Sequence, residues 1–432
     1  MGAYLIIGAS AAGLAAARMI RKLEPEREIV VLSMEKRLYS RCMLHKLLAR
    51  ERNLQSLEFE SEDFFHQNNI RWVAGKKVTR VHEDERYVDL DDGSRMFYEK
   101  LLIASGAGYY IPPIPNFHFA DNVIGFRGLD DFSRIEREIQ NDAKEAVVIG
   151  GGILGLDAAT GLLERGIKVT VVEKEPRIMP LQTDEYAAAR YHELFEKAGC
   201  RILTGMTAKD SCISDEDRIT SISLHDGTSL PCDFVVVAAS VKPQIDFLAE
   251  TSIQALHVNY HINTVLSRYL RKTGIQVSKG LEVNLNMETT ASGIYAAGDV
   301  TGLNAIWPDA RFMGELAAQN MCGCPVHRPE RFVDKNAANF YGLCMISIGK
   351  VNADPKVYEV QVHKQKNSYK RLVSRDEYLE GALLLGDLGN AGVYQYLIQN
   401  HISIAGREKR LFQLSFADWY GIDETSGEFV YQ

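Results

Sequence analysis

In the stretch Tyr4-Leu5-Ile6-Ile7-Gly8-Ala9-Ser10-Ala11-Ala12-Gly13, a short apolar run passes directly into a turn bounded by two glycines. The pattern predicts a buried strand over Tyr4–Gly8 and a helix over Ser10–Leu23. A further strand over Glu28–Ser33 completes a βαβ unit. Glycines at such a turn let the backbone approach a pyrophosphate, whose charge is favoured at the helix N-terminus. Ser10 stands at the usual middle glycine, and its small side chain can itself donate to phosphate.

The pattern occurs a second time, in Gly150-Gly151-Gly152-Ile153-Leu154-Gly155. This turn lies between a predicted strand over Glu145–Ile149 and a predicted helix over Leu154–Arg165, and Lys168–Val172 predicts the next strand. Two widely separated copies of one supersecondary unit indicate two nucleotide-binding domains rather than a repeat array.

Each unit ends on an acidic residue, Glu35 in the first and Glu173 in the second. An acid about 20 residues beyond the turn binds the ribose hydroxyls of a dinucleotide. Glu173 would also repel a 2′-phosphate, so we expect NADH rather than NADPH. Lys174 and Arg177 lie close enough in sequence to soften that preference.

Composition limits the class of protein. The 432 residues are enough for about three domains, and the net charge of -8 argues against a nucleic-acid partner. Seven cysteines without paired spacing argue against a disulfide framework. Cys322-Gly-Cys324 is too close for the usual zinc or redox spacing, so no metal is expected. Because no stretch is long and apolar enough to span a bilayer, we expect a cytoplasmic protein without a membrane partner.

Two further motifs place the chain near a known family. Leu101-Leu102-Ile103-Ala104-Ser105-Gly106 resembles the motif that closes an FAD domain before an NAD domain begins. Gly293-Ile294-Tyr295-Ala296-Ala297-Gly298-Asp299 resembles the strand and turn that present an aspartate to the ribityl chain of FAD. Together they resemble the pyridine nucleotide–disulfide oxidoreductase superfamily.

The resemblance implies an α/β fold with two Rossmann-like three-layer dinucleotide-binding domains, the NAD domain being inserted in the FAD domain. A C-terminal α+β domain, which in the family often forms a dimer interface, would follow. The cofactors would be FAD and NADH. The expected boundaries are 1–112 and 240–322 for the FAD domain, 113–239 for the NAD(H) domain and 326–432 for the C-terminal domain.

The segment Tyr39-Ser40-Arg41-Cys42-Met43-Leu44-His45-Lys46 favours one branch of the superfamily. It resembles rubredoxin reductases, ferredoxin reductases and the flavoprotein part of NADH-dependent nitrite reductases. The segments Trp307-Pro308-Asp309-Ala310 and Gly381–Leu388 resemble the same group. The implied activity is hydride transfer from NADH to FAD, followed by electron transfer to a rubredoxin-like or other electron-carrier protein.

The resemblance also assigns roles to individual residues. Arg41 would meet the FAD pyrophosphate, and Lys46 would lie near flavin N5, with Asp157 at the position of its usual glutamate partner. Arg127 matches an arginine between the two domains, and Trp307 would lie near the flavin ring. The full expected FAD set is Gly8, Ser10, Ala11, Ala12, Gly13, Glu35, Lys36, Arg41, Cys42, Lys46, Val78, Ala104, Ser105, Gly106, Arg127, Gly298, Asp299 and Trp307. The expected NAD set is Gly150, Gly152, Ile153, Leu154, Gly155, Glu173, Lys174, Ala239 and Ser240.

Cys42 leaves alternatives open. It stands where the rubredoxin-reductase-like members have proline, and where coenzyme A disulfide reductases and NADH oxidases have their single redox cysteine. A thiolate there, supported by Arg41, Lys46 and His45, would pass electrons to a disulfide, a persulfide or dioxygen. Alternatively, Cys42 simply fills the space of the proline.

Two further hypotheses concern turnover and docking. Like the relatives of apoptosis-inducing factor, the chain would hold FAD and NADH as a redox sensor or complex subunit with little turnover. The basic and aromatic stretch Thr251–Lys272 would bind an acidic carrier protein such as rubredoxin.

Overall fold

The computed structural model describes residues 2–61, 63–256, 280–304, 306–329, 333–423, 425 and 429–431. Most of the Thr251–Lys272 stretch lies outside these residues. The chain forms two compact units, the first made of residues 1–113, 121–142 and 237–330 and the second of residues 114–120, 143–236 and 331–432.

A five-stranded parallel sheet forms the centre of the first unit. Its strands, in spatial order, are Ile294–Ala296, Lys100–Ile103, Tyr4–Ile7, Ile29–Ser33 and Arg71–Ala74. Tyr4–Ile7 and Ile29–Ser33 are buried throughout, as expected of parallel strands that are covered on both faces.

Two helices of this unit, Ala11–Leu23 and Trp307–Met321, pack closely against each other. A β-carbon on Gly314 would lie 2.1 Å from the carbonyl oxygen of Ala12, so the close approach requires glycine. Further elements of the unit include the helices Leu44–Leu48, Phe64–Gln67 and Leu129–Gln140, and the short strands Ala107–Tyr109, Val123–Ile124, Val241–Pro243, Ala255–Leu256 and Gly280–Leu281.

An antiparallel sheet of three strands, Val78–His82, Tyr87–Leu90 and Arg95–Phe97, also lies in the first unit. Taken as a whole, the stretch Arg71–Leu90 alternates in the manner of antiparallel strands, with Asp91-Asp92-Gly93 as a turn, and so predicts such strands. For Arg71–Ala74 this prediction is wrong. This strand pairs in parallel with the strand Ile29–Ser33. It is the outermost strand of its sheet, and its side chains are exposed or half-buried rather than fully buried.

The second unit contains the other parallel sheet, built around the second glycine turn. Its strands in this unit are Arg201–Thr204, Lys168–Glu173, Glu145–Ile149 and Phe234–Val237, accompanied by the helices Ile153–Glu164 and Glu185–Lys197. A small antiparallel sheet contains Ala208–Ile213, Ile219–Leu224 and Ser229–Pro231.

The C-terminal part of the second unit is a five-stranded antiparallel sheet that shares a core with the helix Ala391–Gln399. Its strands, in spatial order, are Lys335–Phe340, Leu343–Gly349, Tyr378–Leu385, Ser368–Arg375 and Glu359–Gln365. The strands Tyr420–Ile422 and Phe429–Tyr431 form a separate hairpin. The expected α/β fold, with parallel sheets and a C-terminal α+β domain, is confirmed. Among the described residues, every helix is too short or too polar to traverse a lipid bilayer.

Candidate functional site

The first glycine turn has the geometry that an anion site requires. Gly8 has a φ of +113°, and a β-carbon there would lie 2.1 Å from the carbonyl oxygen of Ala104. A β-carbon on Gly13 would lie 1.9 Å from the carbonyl oxygen of Gly8. The helix begins at Ala11 without a capping bond from the Ser10 side chain and without an acid in its first turn. The first N–H groups of the helix therefore suit a phosphate.

Glu35, the acid of the first unit, is held by two neighbours. Its Oε1 accepts hydrogen bonds from the Tyr39 hydroxyl at 2.8 Å and from Nη2 of Arg41 at 3.0 Å. Burial, together with Glu35, raises the pKa of Tyr39, so its hydroxyl remains a donor at neutral pH. Sequence reasoning did not identify Tyr39 as a site residue, although it lies in the quoted motif, four residues after Glu35.

Arg41 and Tyr39 also bind the segment that precedes the helix Leu129–Gln140. Nη1 of Arg41 donates to the carbonyl oxygen of Arg127 at 2.8 Å, and the N–H of Leu129 donates to the Tyr39 hydroxyl at 3.1 Å. Arg41 thus has protein partners on both terminal nitrogens. Its contact with the FAD pyrophosphate stays a prediction. The guanidinium has five N–H donors, so donors that are not used in these two bonds would make that contact.

Arg127 carries a buried donor whose partner is missing from the described residues. Its Nη2 donates to Oδ2 of Asp299 at 2.8 Å and to the carbonyl oxygen of Ala107 at 3.3 Å. Its Nε is buried and has no hydrogen-bond partner there. Because an unsatisfied buried donor costs about 1–3 kcal/mol, this atom fits a missing acceptor such as a phosphate. Asp299 follows Gly298, whose φ of +81° turns the chain at the strand end.

The other residues expected near FAD lie around the same sheet. The N–H of Ala104 donates to Ile7, and the Ser105 hydroxyl donates to the carbonyl oxygen of Gln244 at 2.8 Å. Gly106 has a φ of +71° and open space where a β-carbon would be. Ala11 and Ala12 are buried at the start of the helix, and Val78 is in the core. The aliphatic part of Lys36 lies against Gly75, and the ring of Trp307 packs edge-to-face on that of Phe59, with centroids 4.7 Å apart. These residues fit FAD, and their individual contacts with it stay predictions.

His45 does not supply the positive charge that was expected of it beside Cys42. Burial, reinforced by the charge of Lys46, lowers the pKa of His45 to about 4, and its ring bonds to the backbone of Cys42. The imidazole is therefore neutral at pH 7, and this expectation is wrong.

The two other cations expected near Cys42 are each paired with a carboxylate. Arg41 pairs with Glu35, and Nζ of Lys46 lies 2.7 Å from Oε2 of Glu51. Cys42 itself is exposed and forms no disulfide. The contact expected between Lys46 and Asp157 stays a prediction.

The second glycine turn is built around the buried carboxylate of Glu173. The N–H of Gly151 donates to Oε2 at 2.6 Å, and the N–H of Glu175 donates to Oε1 at 2.8 Å. Gly150 has a φ of +113°, and a β-carbon on Gly152 would meet open space at the helix N-terminus. The acid thus holds the turn in shape, and its remaining lone pairs can accept from a ribose diol.

The basic residues near Glu173 are differently placed. Arg177 donates to the carbonyl oxygen of Thr183 at 3.2 Å and to the side chain of Asn352 at 2.9 Å. These donors stabilise a loop and are not directed at a phosphate site. Lys174 is half exposed and lies 3.8 Å from Glu175. Ile153, Leu154 and Gly155 form the first turn of the helix, Ala239 follows the strand Phe234–Val237, and the carbonyl of Ser240 accepts from Tyr110.

Both parts of the chain are similar to known proteins. The family model of pyridine nucleotide-disulphide oxidoreductases matches residues 2–314, and that of the rubredoxin NAD+ reductase C-terminal domain matches residues 336–402. The epsilon subunit of NADH-dependent phenylglyoxylate dehydrogenase from Aromatoleum evansii is 31% identical over 91% of both chains.

A second relative and a solved structure agree with this. The assimilatory nitrate reductase electron transfer subunit of Bacillus subtilis (strain 168) is 30% identical over 94% of this chain, which spans only 50% of that protein's length. The structure of a NAD-dependent persulfide reductase from A. fulgidus superimposes with a TM-score of 0.81 at 22% identity, over 95% of this chain and 79% of the other. At that identity the likeness shows the fold alone.

Proposed function

The chain belongs to the pyridine nucleotide-disulphide oxidoreductase family, and from this premise we propose that it oxidises NADH and delivers the electrons to a redox protein. As a member of this family it is an FAD-dependent NAD(P)H oxidoreductase. FAD, when bound, accepts a hydride and releases electrons one at a time. The chain's own residues bind and orient the two dinucleotides.

The binding roles follow from the two turns. In the first unit, the Gly8–Gly13 turn, Glu35 and the pair formed by Arg127 and Asp299 bind FAD. In the second unit, the Gly150–Gly155 turn binds the NADH pyrophosphate. Glu173 accepts from the ribose and disfavours a 2′-phosphate, which supports NADH over NADPH.

The main support for a protein acceptor is that the cations expected near Cys42 are paired with carboxylates. A cysteine becomes a nucleophile when nearby cations stabilise its thiolate. Of the three cations invoked for that role, Arg41 is paired with Glu35, Lys46 is paired with Glu51, and His45 is neutral. The local charges therefore support electron exit directly from the flavin rather than through Cys42.

The named relatives support the same acceptor class. One is a subunit of an NADH-dependent dehydrogenase, and the other is the electron transfer subunit of a nitrate reductase. The C-terminal match is to a rubredoxin reductase domain. We therefore propose a rubredoxin-like or iron–sulfur carrier, or a partner subunit of that chemistry, in the cytoplasm.

Self-association through the C-terminal domain is a further part of the proposal. Exposed apolar side chains there include Tyr396, Phe416, Tyr420 and Ile422, and the rings of Tyr396 and Phe416 are in edge-to-face contact at 5.7 Å. Sedimentation of Ile422→Lys against wild type tests this, because a dimer formed through this surface would dissociate.

An anaerobic NADH titration of wild type and Cys42→Ser tests the acceptor route. We expect both proteins to take up only the electrons that the flavin itself accepts, and both to reduce rubredoxin at similar rates. If wild type takes up additional electrons and shows a thiolate–flavin charge-transfer band that Cys42→Ser lacks, the route runs through the thiol. If neither protein reduces any acceptor and reoxidation is slow, the chain is a sensor rather than an enzyme.

A further inference from the structure

The loop of residues 174–184 follows Glu173 and contacts the second glycine turn directly. The N–H of Met179, in the middle of this loop, donates to the carbonyl oxygen of Gly151 at 2.8 Å. That carbonyl belongs to the same peptide group as the N–H of Gly152, and a trans peptide points the two groups in opposite directions. The loop therefore fixes the direction of an N–H at the start of the helix to which the proposed function assigns the NADH pyrophosphate.

Met179 makes this contact in a backbone conformation that needs support from its neighbours. Its φ is +46°, in the left-handed region, and its side chain is fully buried. A residue other than glycine stays in this region only where the surrounding structure holds it. Thr183 supplies part of that support, because its hydroxyl lies 2.8 Å from the carbonyl oxygen of Met179 and its N–H donates to the same oxygen at 3.0 Å. The position of Met179 thus depends on the end of the loop.

The end of the loop is held by the C-terminal domain. The buried carboxylate of Asp184 accepts from the N–H of Ala187 at 3.0 Å through Oδ1 and from the hydroxyl of Tyr369 through Oδ2. Tyr369 lies on a strand of the C-terminal antiparallel sheet and is buried as well. Burial, together with Asp184, raises the pKa of Tyr369, so its hydroxyl remains a donor at neutral pH. Nη1 of Arg371, on the same strand, lies 3.8 Å from Oδ2 of Asp184.

Asn352, also in the C-terminal domain, binds the loop on both sides of Met179. Its Oδ1 accepts from Nη2 of Arg177 at 2.9 Å, and its Nδ2 donates to the carbonyl oxygen of Pro180 at 2.7 Å. Pro180 directly follows Met179, and Arg177 lies two residues before it. The C-terminal domain therefore holds the loop at its middle as well as at its end.

We infer that Tyr369 and Asn352 are positioning residues for NADH: they hold the 174–184 loop, and through it the peptide of Gly151, in the conformation that binds the nucleotide. The inference rests on the proposed function, in which the second glycine turn binds NADH. It gives the C-terminal domain a part in nucleotide binding. Sequence reasoning did not find these two residues, because they lie 172 and 185 positions along the chain from Pro180 and Asp184.

Binding of NAD+ to the oxidised, FAD-loaded protein tests the inference, since titration calorimetry measures it without turnover. Tyr369→Phe removes only the hydroxyl, and Asn352→Ala removes both amide bonds to the loop. A net hydrogen bond changes an equilibrium constant by about two- to tenfold, so the Kd for NAD+ should rise roughly two- to tenfold in each variant. The KM for NADH with an artificial acceptor should rise by a similar factor at unchanged kcat, because the lost bonds act on nucleotide binding alone.

Tyr394→Phe is the matched control. The Tyr394 hydroxyl is also buried in the C-terminal domain, but it donates to the carbonyl oxygen of Leu411 at 2.9 Å rather than to the loop. Its loss should lower the melting temperature and leave the Kd for NAD+ unchanged. Asn352 is exposed, so Asn352→Ala should fold as wild type does. Melting curves and FAD absorbance confirm that folded proteins are compared.

The possible failures are distinguishable. An unchanged Kd in Tyr369→Phe or in Asn352→Ala, or an equal rise in Tyr394→Phe, overturns the inference. The proposed function then still stands, because wild type binds NAD+ and oxidises NADH. If wild type itself neither binds NAD+ nor oxidises NADH, the proposed function is wrong and the inference fails with it.

Discussion

Replacing Glu173 by glutamine should separate its two roles. In the structure each carboxylate oxygen accepts one backbone N–H, from Gly151 at 2.6 Å and from Glu175 at 2.8 Å. Glutamine retains one acceptor oxygen and presents an NH₂ group to the other donor. Losing one bond to a charged group costs about 1.5–3 kcal/mol. At about 2–4 °C per kcal/mol, the melting temperature should fall by roughly 3–12 °C.

The same change removes a negative charge from the proposed ribose site. A unit charge about 4 Å from a phosphate is worth between about 1 and 4 kcal/mol, depending on solvent access. Even the lower value predicts that the ratio of kcat/KM for NADPH to that for NADH rises several-fold. Steady-state kinetics with an artificial acceptor give this ratio, and Glu175→Gln is the matched control.

Two results would refute this reasoning in different ways. If the melting temperature falls but the ratio is unchanged, Glu173 holds the turn and does not discriminate between the nucleotides. If the ratio changes at constant melting temperature, the two backbone bonds contribute little to stability. An equal loss with both nucleotides and in Glu175→Gln would indicate general damage to the loop.

Three further predictions concern other parts of the two sites. Tyr39→Phe loses its bond to Glu35 and should weaken FAD binding by about 1 kcal/mol, measured by the release of FAD fluorescence. Tyr98, whose hydroxyl donates to the carbonyl oxygen of His82 instead, is the control, and an equal loss in Tyr98→Phe would contradict a specific role for Tyr39. Burial lowers the pKa of His45 from 6.5 to about 4, so between these pH values only the unfolded chain binds a proton at this residue. The free energy of unfolding should therefore fall by at most about 3 kcal/mol as the pH drops from 6.5 to 4. In urea unfolding, the free energy of unfolding of His45→Gln should fall less over this pH range than that of wild type. If the two proteins lose the same free energy over the range, the assignment to His45 is contradicted. Gly152→Ala has room for its β-carbon and should fold normally, yet raise the KM for NADH roughly tenfold because the pyrophosphate approaches there; an unchanged KM would contradict that placement.

The sequence was sufficient for the elements that carry the two turns. Strands buried on both faces are continuous apolar runs, so Tyr4–Ile7 and Glu145–Ile149 could be located to within a residue. The outermost strand, Arg71–Ala74, was misassigned because it is only partly buried and so lacks the fully buried apolar run that marks a central parallel strand. Periodicity reports burial, and it reports strand direction only indirectly.

The partners of the charged residues could not be predicted in the same way. Glu51 is five residues from Lys46, which is not a spacing that pairs side chains along a helix. The pair exists because Arg50 adopts a left-handed conformation and ends the helix. Nothing in the sequence marks Arg50 for that conformation, since glycine or asparagine is the usual residue there.

The partners of charged residues, which the sequence did not predict, matter most for the role of Cys42. Its place in the sequence matches the redox cysteine of one branch of the family. Reactivity also requires a field that stabilises the thiolate, and that field depends on the residues that compensate the cations nearby. Glu35 and Glu51 compensate Arg41 and Lys46. We therefore propose that the choice between a thiol route and direct electron transfer depends less on the cysteine than on these two carboxylates, Glu35 before it and Glu51 after it in the chain.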